Sequence, residues 1–477
     1  MVRFLVFWSI LFAVFFAALP VAGREKEEFV NGELPRSFMT DSLFTGEPPD
    51  TGNCWWKSFG DEILDSLIIL AVKNNPDIYS ALDNIVAARA ALRTEQAGFY
   101  PDIGVSAGWS KSRGSRTLGS DNILDYADVM QEYLFAKASA SWEIDLFGKI
   151  TTGVKSAKYA YEADIATYNA TILSLVCDMA TCYAELRTLQ QQRIVAEKNI
   201  ASQRAIMEIT KVRYNTGLAS QLDVAQAKSV YFSTHSSVPP LVSAIRRQIN
   251  AITLLAGLFP PQLFNWLSPP GKLPDYARII PVGTPELLLE NRPDIVAARK
   301  TVESARAGVS KARSYFAPTL SVNGSFGFAS HNFGRLFDNR SITFDITPQL
   351  NWNIFQGTAT FNALKRSRAE YDAAIRNYNS LLQKGIQETD NAMATYTGRV
   401  KQVVELKELV VQGEITLRLS LDLYKRGLAG FQNVLDAQRS LLEYQNSLVE
   451  AQGSALSSLI ALYRATGGGW GNYGYNN

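Results

Sequence analysis

Two periodicities share this chain. From Gly148 to Gly217, apolar residues recur at helical spacing: Tyr168, Ile172, Leu175, Val176, Met179, Tyr183, Leu186 and Leu189. That stretch holds one internal glycine, Gly153, and no proline. It predicts a helix of roughly 60–65 residues, on the order of 95 Å long. Asp178, Glu185, Arg187 and Arg193 interrupt it, which excludes a membrane span. A rod of that length packs sideways against other rods in water. A second rod is predicted over 358–426.

The other periodicity is two. Ile103, Val105, Ala107 and Trp109 alternate with Gly104, Ser106, Gly108 and Ser110. Ala136, Ala138, Ala140, Trp142 and Ile144 alternate with Lys137, Ser139, Ser141, Glu143 and Asp145. The same alternation runs through 318–329 and 341–355. Each segment predicts a strand with one apolar and one polar face. Segments of about ten such residues are the mark of a transmembrane β-barrel. The alternative, a soluble sheet on a core, lacks a cover, because the neighbouring segments are committed to rods. Four strands cannot close a barrel, so several chains must share one, in a ring with cyclic symmetry. Pro348 falls inside the fourth strand and predicts a bulge or bend. The polar, glycine-bearing loops 111–133 and 329–340 suit the outer hairpin tips.

The order of elements repeats after some two hundred residues. Asn75-Pro76-Asp77-Ile78 opens a helix that ends at Gly98-Phe99-Tyr100-Pro101, and Asn291-Arg292-Pro293-Asp294-Ile295 opens another that ends at Tyr315-Phe316-Ala317-Pro318. In both, Asn precedes the helix and Pro sits near its first position. Tyr214-Asn215-Thr216-Gly217 matches Tyr424-Lys425-Arg426-Gly427 as a chain-reversing turn. Pro239-Pro240 predicts a break or bend in the helix after Asp223.

Composition then narrows the function. Net charge is +2 over 477 residues, so no basic footprint points to nucleic acid. Only His235 and His331 are histidines, which removes most zinc and general-base chemistry. Cys177 and Cys182 lie too far apart on one helix for a disulfide and read as buried thiols. Arg3, the uncharged apolar run 4–19 and Val21-Ala22-Gly23 read as a cleavable signal peptide over 1–23. No later apolar stretch is expected to span a bilayer as a helix. No cofactor or metal site is expected. The Gly467-Gly468-Gly469 run has no preceding strand and no Lys-Ser/Thr after it, so it is not a phosphate loop.

Six phrases together resemble the TolC-like outer-membrane efflux proteins, in the branch that serves resistance-nodulation-division pumps. They are Trp55-Trp56-Lys57-Ser58-Phe59-Gly60-Asp61, Asn75-Pro76-Asp77, Asp145-Leu146-Phe147-Gly148-Lys149, Asn291-Arg292-Pro293-Asp294-Ile295, Val434-Leu435-Asp436-Ala437-Gln438-Arg439 and the Leu462–Trp470 phrase. The resemblance implies a mixed α and β membrane protein in the bacterial outer membrane, with a long periplasmic portion. It implies a homotrimer: four strands per chain complete a 12-stranded transmembrane β-barrel in outer-membrane lipid, continued by a coiled-coil α-helical barrel. Two internal repeats and an equatorial belt build each chain. The expected division is a signal peptide 1–23, an N-terminal equatorial segment 24–60, a first repeat 61–257, an equatorial linker 258–285, a second repeat 286–466 and a flexible tail 467–477. Within the repeats, strands are expected at 101–113, 134–146, 318–329 and 341–355, and helices at 148–215, 219–257, 358–426 and 430–466. Many relatives carry a lipid on an N-terminal cysteine; no cysteine follows the cleavage region here, so anchoring is expected to rest on the barrel.

The implied function is a passive exit duct in a tripartite efflux system, with a periplasmic adaptor and an inner-membrane resistance-nodulation-division pump as partners. The two Tyr-x-x-Gly turns then lie at the periplasmic tip. In the family, polar and acidic residues after those turns close the entrance; the matching positions are Asp223, Tyr424, Asn433 and Asp436. Asn433 stands where an acid is often found. Tyr214, Gly217, Ala219, Gly427, Ala429 and Gly430 are the expected docking points for the adaptor. Asp223 and Asp436 as a hydrolase pair is the weaker reading, since they occupy matched places in the two repeats. Two other functions fit less well: a type I protein secretion channel, and a periplasmic coiled-coil scaffold without a pore.

Overall fold

The computed structural model describes residues 38, 44–45, 54–113, 130–275, 280–282, 284–473 and 475. The expected signal peptide, most of segment 24–60 and most of loop 111–133 lie outside the described residues.

Strand β1 (Phe44–Thr45) pairs in parallel with β4 (Ile280–Pro281). Helices α1 (Glu62–Asn74) and α2 (Pro76–Ala97) follow β1. Asn75 caps α2 as the sequence predicts, its side-chain oxygen accepting from the Asp77 backbone at 2.8 Å. Next come β2 (Asp102–Arg113), β3 (Met130–Ile144) and the first rod, α3 (Lys149–Asn215), 67 residues long. The helix expected over 219–257 is two helices, α4 (Gln221–Ser236) and α5 (Val238–Leu255). Pro239 and Pro240 sit in the first turn of α5, where no backbone donor is needed. After α6 (Pro261–Leu267) and the short α7 (Leu288–Asn291) come α8 (Pro293–Ser314), β5 (Thr319–Ser330) and β6 (Ile342–Asn351). The second rod, α9 (Ala359–Lys425), also has 67 residues, and α10 (Phe431–Thr466) ends the helical part.

The four long strands form one antiparallel sheet in the order β2-β3-β5-β6. Its register puts Val105, Ala138, Phe326 and Phe344 in one row across the sheet. The next row is Ser106, Lys137, Gly327 and Thr343. Successive rows point to opposite faces, so one face is apolar from the Ile144–Leu320–Leu350 row to the Trp109–Leu134 row, turning polar at the hairpin end with Lys111, Glu132 and Arg113. Val105 is 84% exposed on it and Phe344 76%. No bulge forms at Pro348, which pairs in register with Val322. Within one chain β6 is an edge strand, the position in a sheet where proline is found. The strand stops at Asn351, short of the expected 355.

The rods do not pack along one another as expected: the first lies against α2, α4, α5, α8 and α10, and the second against α8 and α10, so these shorter helices stand between them. By length and composition a stretch of α3 could cross a bilayer, contrary to the expectation from sequence. More than half of that stretch is buried inside the chain. Ile172, Met179, Tyr183 and Leu186 have almost no accessible surface. Burial pushes the Cys177 thiol up to about 12 and the Cys182 thiol up to about 11. Both are unbridged and protonated at neutral pH, hence poor nucleophiles.

A polar seam explains the charges that interrupt the first rod. Arg187 is buried, yet its Nε donates to the Tyr183 hydroxyl at 2.9 Å and its Nη1 to Gln190 at 2.8 Å. Tyr183 donates to Asp61 at 2.6 Å, and Gln190 donates to the Leu267 carbonyl at 2.8 Å. These bonds tie the segment before α1 and the end of α6 to the rod's flank. In the second half, the residue capping α8 is Arg292 rather than Asn291. Arg292 is buried and pairs with Asp294 at 2.7 Å and Glu388 at 2.9 Å.

In the tail expected to be flexible, the described residues, 467–473 and 475, pack instead. Trp470 Nε1 donates to the Asn291 carbonyl at 3.0 Å, and Tyr473 stacks on Trp56 at 6.2 Å between centroids. Tyr475 meets Tyr168 edge-on. The glycines that signal a stop in sequence here let aromatic side chains close over the chain.

Candidate gate and docking tip

Both rods end in the same turn. Gly217 and Gly427 adopt φ of 76° and 75°, a left-handed conformation that glycine takes without a Cβ penalty. The Leu218 N–H donates to the Arg213 carbonyl at 2.8 Å, and the Leu428 N–H to the Leu423 carbonyl at 2.9 Å. These 6→1 bonds close each rod and reverse the chain. Leu218 and Leu428 stand well out in solvent, Ala219 and Ala429 are half-buried, and Gly217, Gly427 and Gly430 are exposed.

The two hairpins share a small core. Tyr424, Phe431, Val434 and Leu435 from the second pack with Ile206, Ala227 and Val230 from the first. Tyr424 is therefore a buried ring, tilted against Phe431 at 5.3 Å. Its counterpart Tyr214 is exposed. Asp223 is held locally: its carboxylate accepts from the Ser220 N–H at 2.9 Å, and the Ser220 hydroxyl accepts from the Asp223 N–H at 3.1 Å. This reciprocal capping box starts α4 and gives Asp223 a structural task. Asn433 and Asp436 are exposed on the first turns of α10. Asp436, an exposed residue, accepts a bond from Gln432 at 3.0 Å.

Arg213 is the tip residue that sequence reasoning missed. Its guanidinium lies over the Tyr424 ring at 4.8 Å and donates from Nη1 to the Lys425 carbonyl at 2.9 Å. A longer contact, 3.5 Å, reaches the Leu218 carbonyl. One side chain thus joins the ends of both rods, capping carbonyls that a helix C-terminus leaves without partners. The only signal in the sequence is a basic residue in the last turn of a helix.

Chemically, the tip can present apolar leucines to a partner and carboxylates to an aqueous entrance. It assembles no nucleophile with a base. Among the described residues, no cluster of three His, Cys, Asp or Glu could hold a metal ion.

The model of the outer membrane efflux proteins matches residues 67–258 and 284–468. The chain belongs to the outer membrane efflux protein family. It is 27% identical over 417 residues to the probable efflux pump outer membrane protein TtgC of Pseudomonas putida, covering 87% of this chain and 85% of that protein. To outer membrane protein OprJ of Pseudomonas aeruginosa it is 28% identical, covering 87% and 86%. Its fold is similar to the outer-membrane channel OprN, with a TM-score of 0.84 and 25% identity over 93% of this chain and all of that one. It is also similar to VceC of Vibrio cholerae, with a TM-score of 0.79 and 26% identity over 88% of this chain and all of that one. Family membership places this efflux protein in the outer membrane and makes it a transport duct.

The exposed carboxylate is the residue to test. If Asp436 lines the entrance as the family resemblance implies, Asp436→Ala should change single-channel conductance or cation selectivity in a planar bilayer, because like charges around a narrow entrance attract counter-ions. Values equal to wild type would overturn that expectation.

Proposed function

We propose that this outer membrane efflux protein works as a homotrimer, the exit duct of a tripartite system completed by a periplasmic adaptor and an inner-membrane resistance-nodulation-division pump. One observation carries the reading. A four-stranded sheet with an uncovered apolar face leads directly into two helices of 67 residues each. Four strands leave both sheet edges unpaired, and three copies joined edge to edge make a closed barrel of twelve, which removes the edges. The rods and their return helices then continue the ring as a helical tunnel in the periplasm. Two matched halves support an origin as internal repeats: the element order recurs and both rods end in the same turn.

In this reading the duct supplies no energy. Asp436 and Asn433 face the entrance, Tyr424 and Arg213 hold the hairpins together behind it, and Asp223 caps the helix that follows the first turn. The adaptor seats on the exposed turns at Gly217–Ala219 and Gly427–Gly430. The cargo is set mainly elsewhere. Relatives of nearly equal similarity are named for antibiotics, toluene and pyoverdine, so duct sequence at this level does not divide them.

In-cell photo-cross-linking from position 430 tests the assembly. An adaptor together with a resistance-nodulation-division pump is the expected capture. Capture of an ABC exporter would move the chain to protein secretion, and a chain absent from the outer membrane would overturn the duct.

A further inference from the structure

We propose that the polar face of the barrel sheet carries a binding shelf for planar aromatic anions, formed by Tyr133, Phe135 and Lys137 of β3; this rests on the duct reading, in which that face lines the lumen. Residues 133, 135 and 137 alternate with Leu134, Ala136 and Ala138, whose partners across the sheet are apolar or small. The three side chains therefore point away from lipid. Their partners across the sheet on the same face are Ser110, Gly108, Ser106, Ala329 and Gly327, and a carboxylate of that face, Asp345, lies two strands from β3 and one row nearer the rods than Lys137. Against that low, hydrophilic floor two aromatic rings stand out. Tyr133 is 37% exposed.

The geometry is that of a platform. Gly108 pairs with Phe135 across the strands, and a Cβ at 108 would come within 2.9 Å of the ring. The missing side chain lets the phenyl ring lie down over the neighbouring strand. The Tyr133 ring sits beside it, centroids 6.1 Å apart and tilted by 49°. Lys137 holds its ammonium 5.8 Å from the Phe135 centroid. Among the described residues no carboxylate pairs with Lys137, so its charge faces the lumen. A flat ring laid on Phe135 and Tyr133 gains offset or edge contact. A carboxylate on that ring comes within reach of the Lys137 ammonium in a space with less water than bulk. Neither half suffices: an aliphatic acid lacks the stack, and a neutral arene lacks the ion pair. In a trimer three such shelves face one lumen, toward the hairpin end of the strands and away from the rods. Three weak sites around the lumen at one height slow a solute without trapping it.

The test uses the full-length trimer in planar bilayers at low ionic strength, where the charge is least screened. Three probes are added: 2-naphthoate, the neutral 2-naphthalenemethanol and the non-aromatic cyclohexanecarboxylate. Naphthoate should reduce the current at roughly tenfold lower concentration than either control. Lys137→Gln and Phe135→Leu should each weaken that block by about three- to tenfold while the open pore conducts. Block by all three probes alike, or equal block of wild type and both variants, overturns the shelf and leaves the duct standing. Wild-type protein that inserts and carries no current overturns the duct and the shelf together.

Discussion

Gly467→Ala should leave little assembled channel. Gly467 ends α10 at φ 77°, its N–H donating to the Arg464 carbonyl. An alanine Cβ would sit 2.6 Å from the Asn291 carbonyl oxygen and 3.0 Å from the Arg292 Cα. Both are backbone atoms at the entry to α8, so no rotamer change makes room. Left-handed strain costs about 1–2 kcal/mol, and overpacking adds roughly 1–3 kcal/mol. A sum of about 2–5 kcal/mol is a large share of a typical folding free energy. Gly148 is the control: its φ is 74°, with nothing within 4 Å of the added atom, so Gly148→Ala meets strain alone. Trimer yield in the outer membrane, read on unboiled gels, should fall far more for position 467. Equal losses would mean that the contact with Asn291 does not matter.

That contact also shows why scattered phrases identify this family. The Asn291–Ile295 and Leu462–Trp470 phrases lie far apart in sequence and meet in space. Arg292 Nη1 donates to the Ala465 carbonyl, and Trp470 donates to the Asn291 carbonyl. Gly453 and Gly385 are further points where a helix passes close to a neighbour. Phrases of this kind record close approach, which one-dimensional periodicity does not express.

The rods and strands were legible because their patterns persist over many repeats of the period. Rod ends expected at 148–215 and 358–426 fall at Lys149–Asn215 and Ala359–Lys425. The sheet's faces were legible for the same reason, since the register keeps alternation intact across all four strands. Single-residue assignments were less so. Ser220 and Asp223 spell a capping box three residues apart, and that local bond competes with any role at the entrance. Arg213 acts on Tyr424, a partner supplied by the other hairpin. The tail's glycines read as a stop because their partners, Trp55 and Asn291, are distant in sequence.

Arginine at two adjacent positions of β3 separates the barrel from every soluble reading. Ala138 lies in the row Val105, Ala138, Phe326, Phe344; Ser139 lies in the row Gly104, Ser139, Ser325, Asp345. If lipid covers the first face, Ala138→Arg puts a charge at mid-bilayer depth, at a cost of about 2–4 kcal/mol. Ser139→Arg puts the same side chain into water, near Asp345. The expected result is loss of outer-membrane trimers for Ala138→Arg, with near-normal trimers and altered conductance for Ser139→Arg. A soluble sheet packed on a hidden core would also reject arginine at 138, but its other face would meet bulk solvent, and Ser139→Arg would then leave conductance untouched. Equal tolerance at both positions would mean that neither face meets lipid. The outcome turns on period two alone: one step along the strand exchanges hydrocarbon for water.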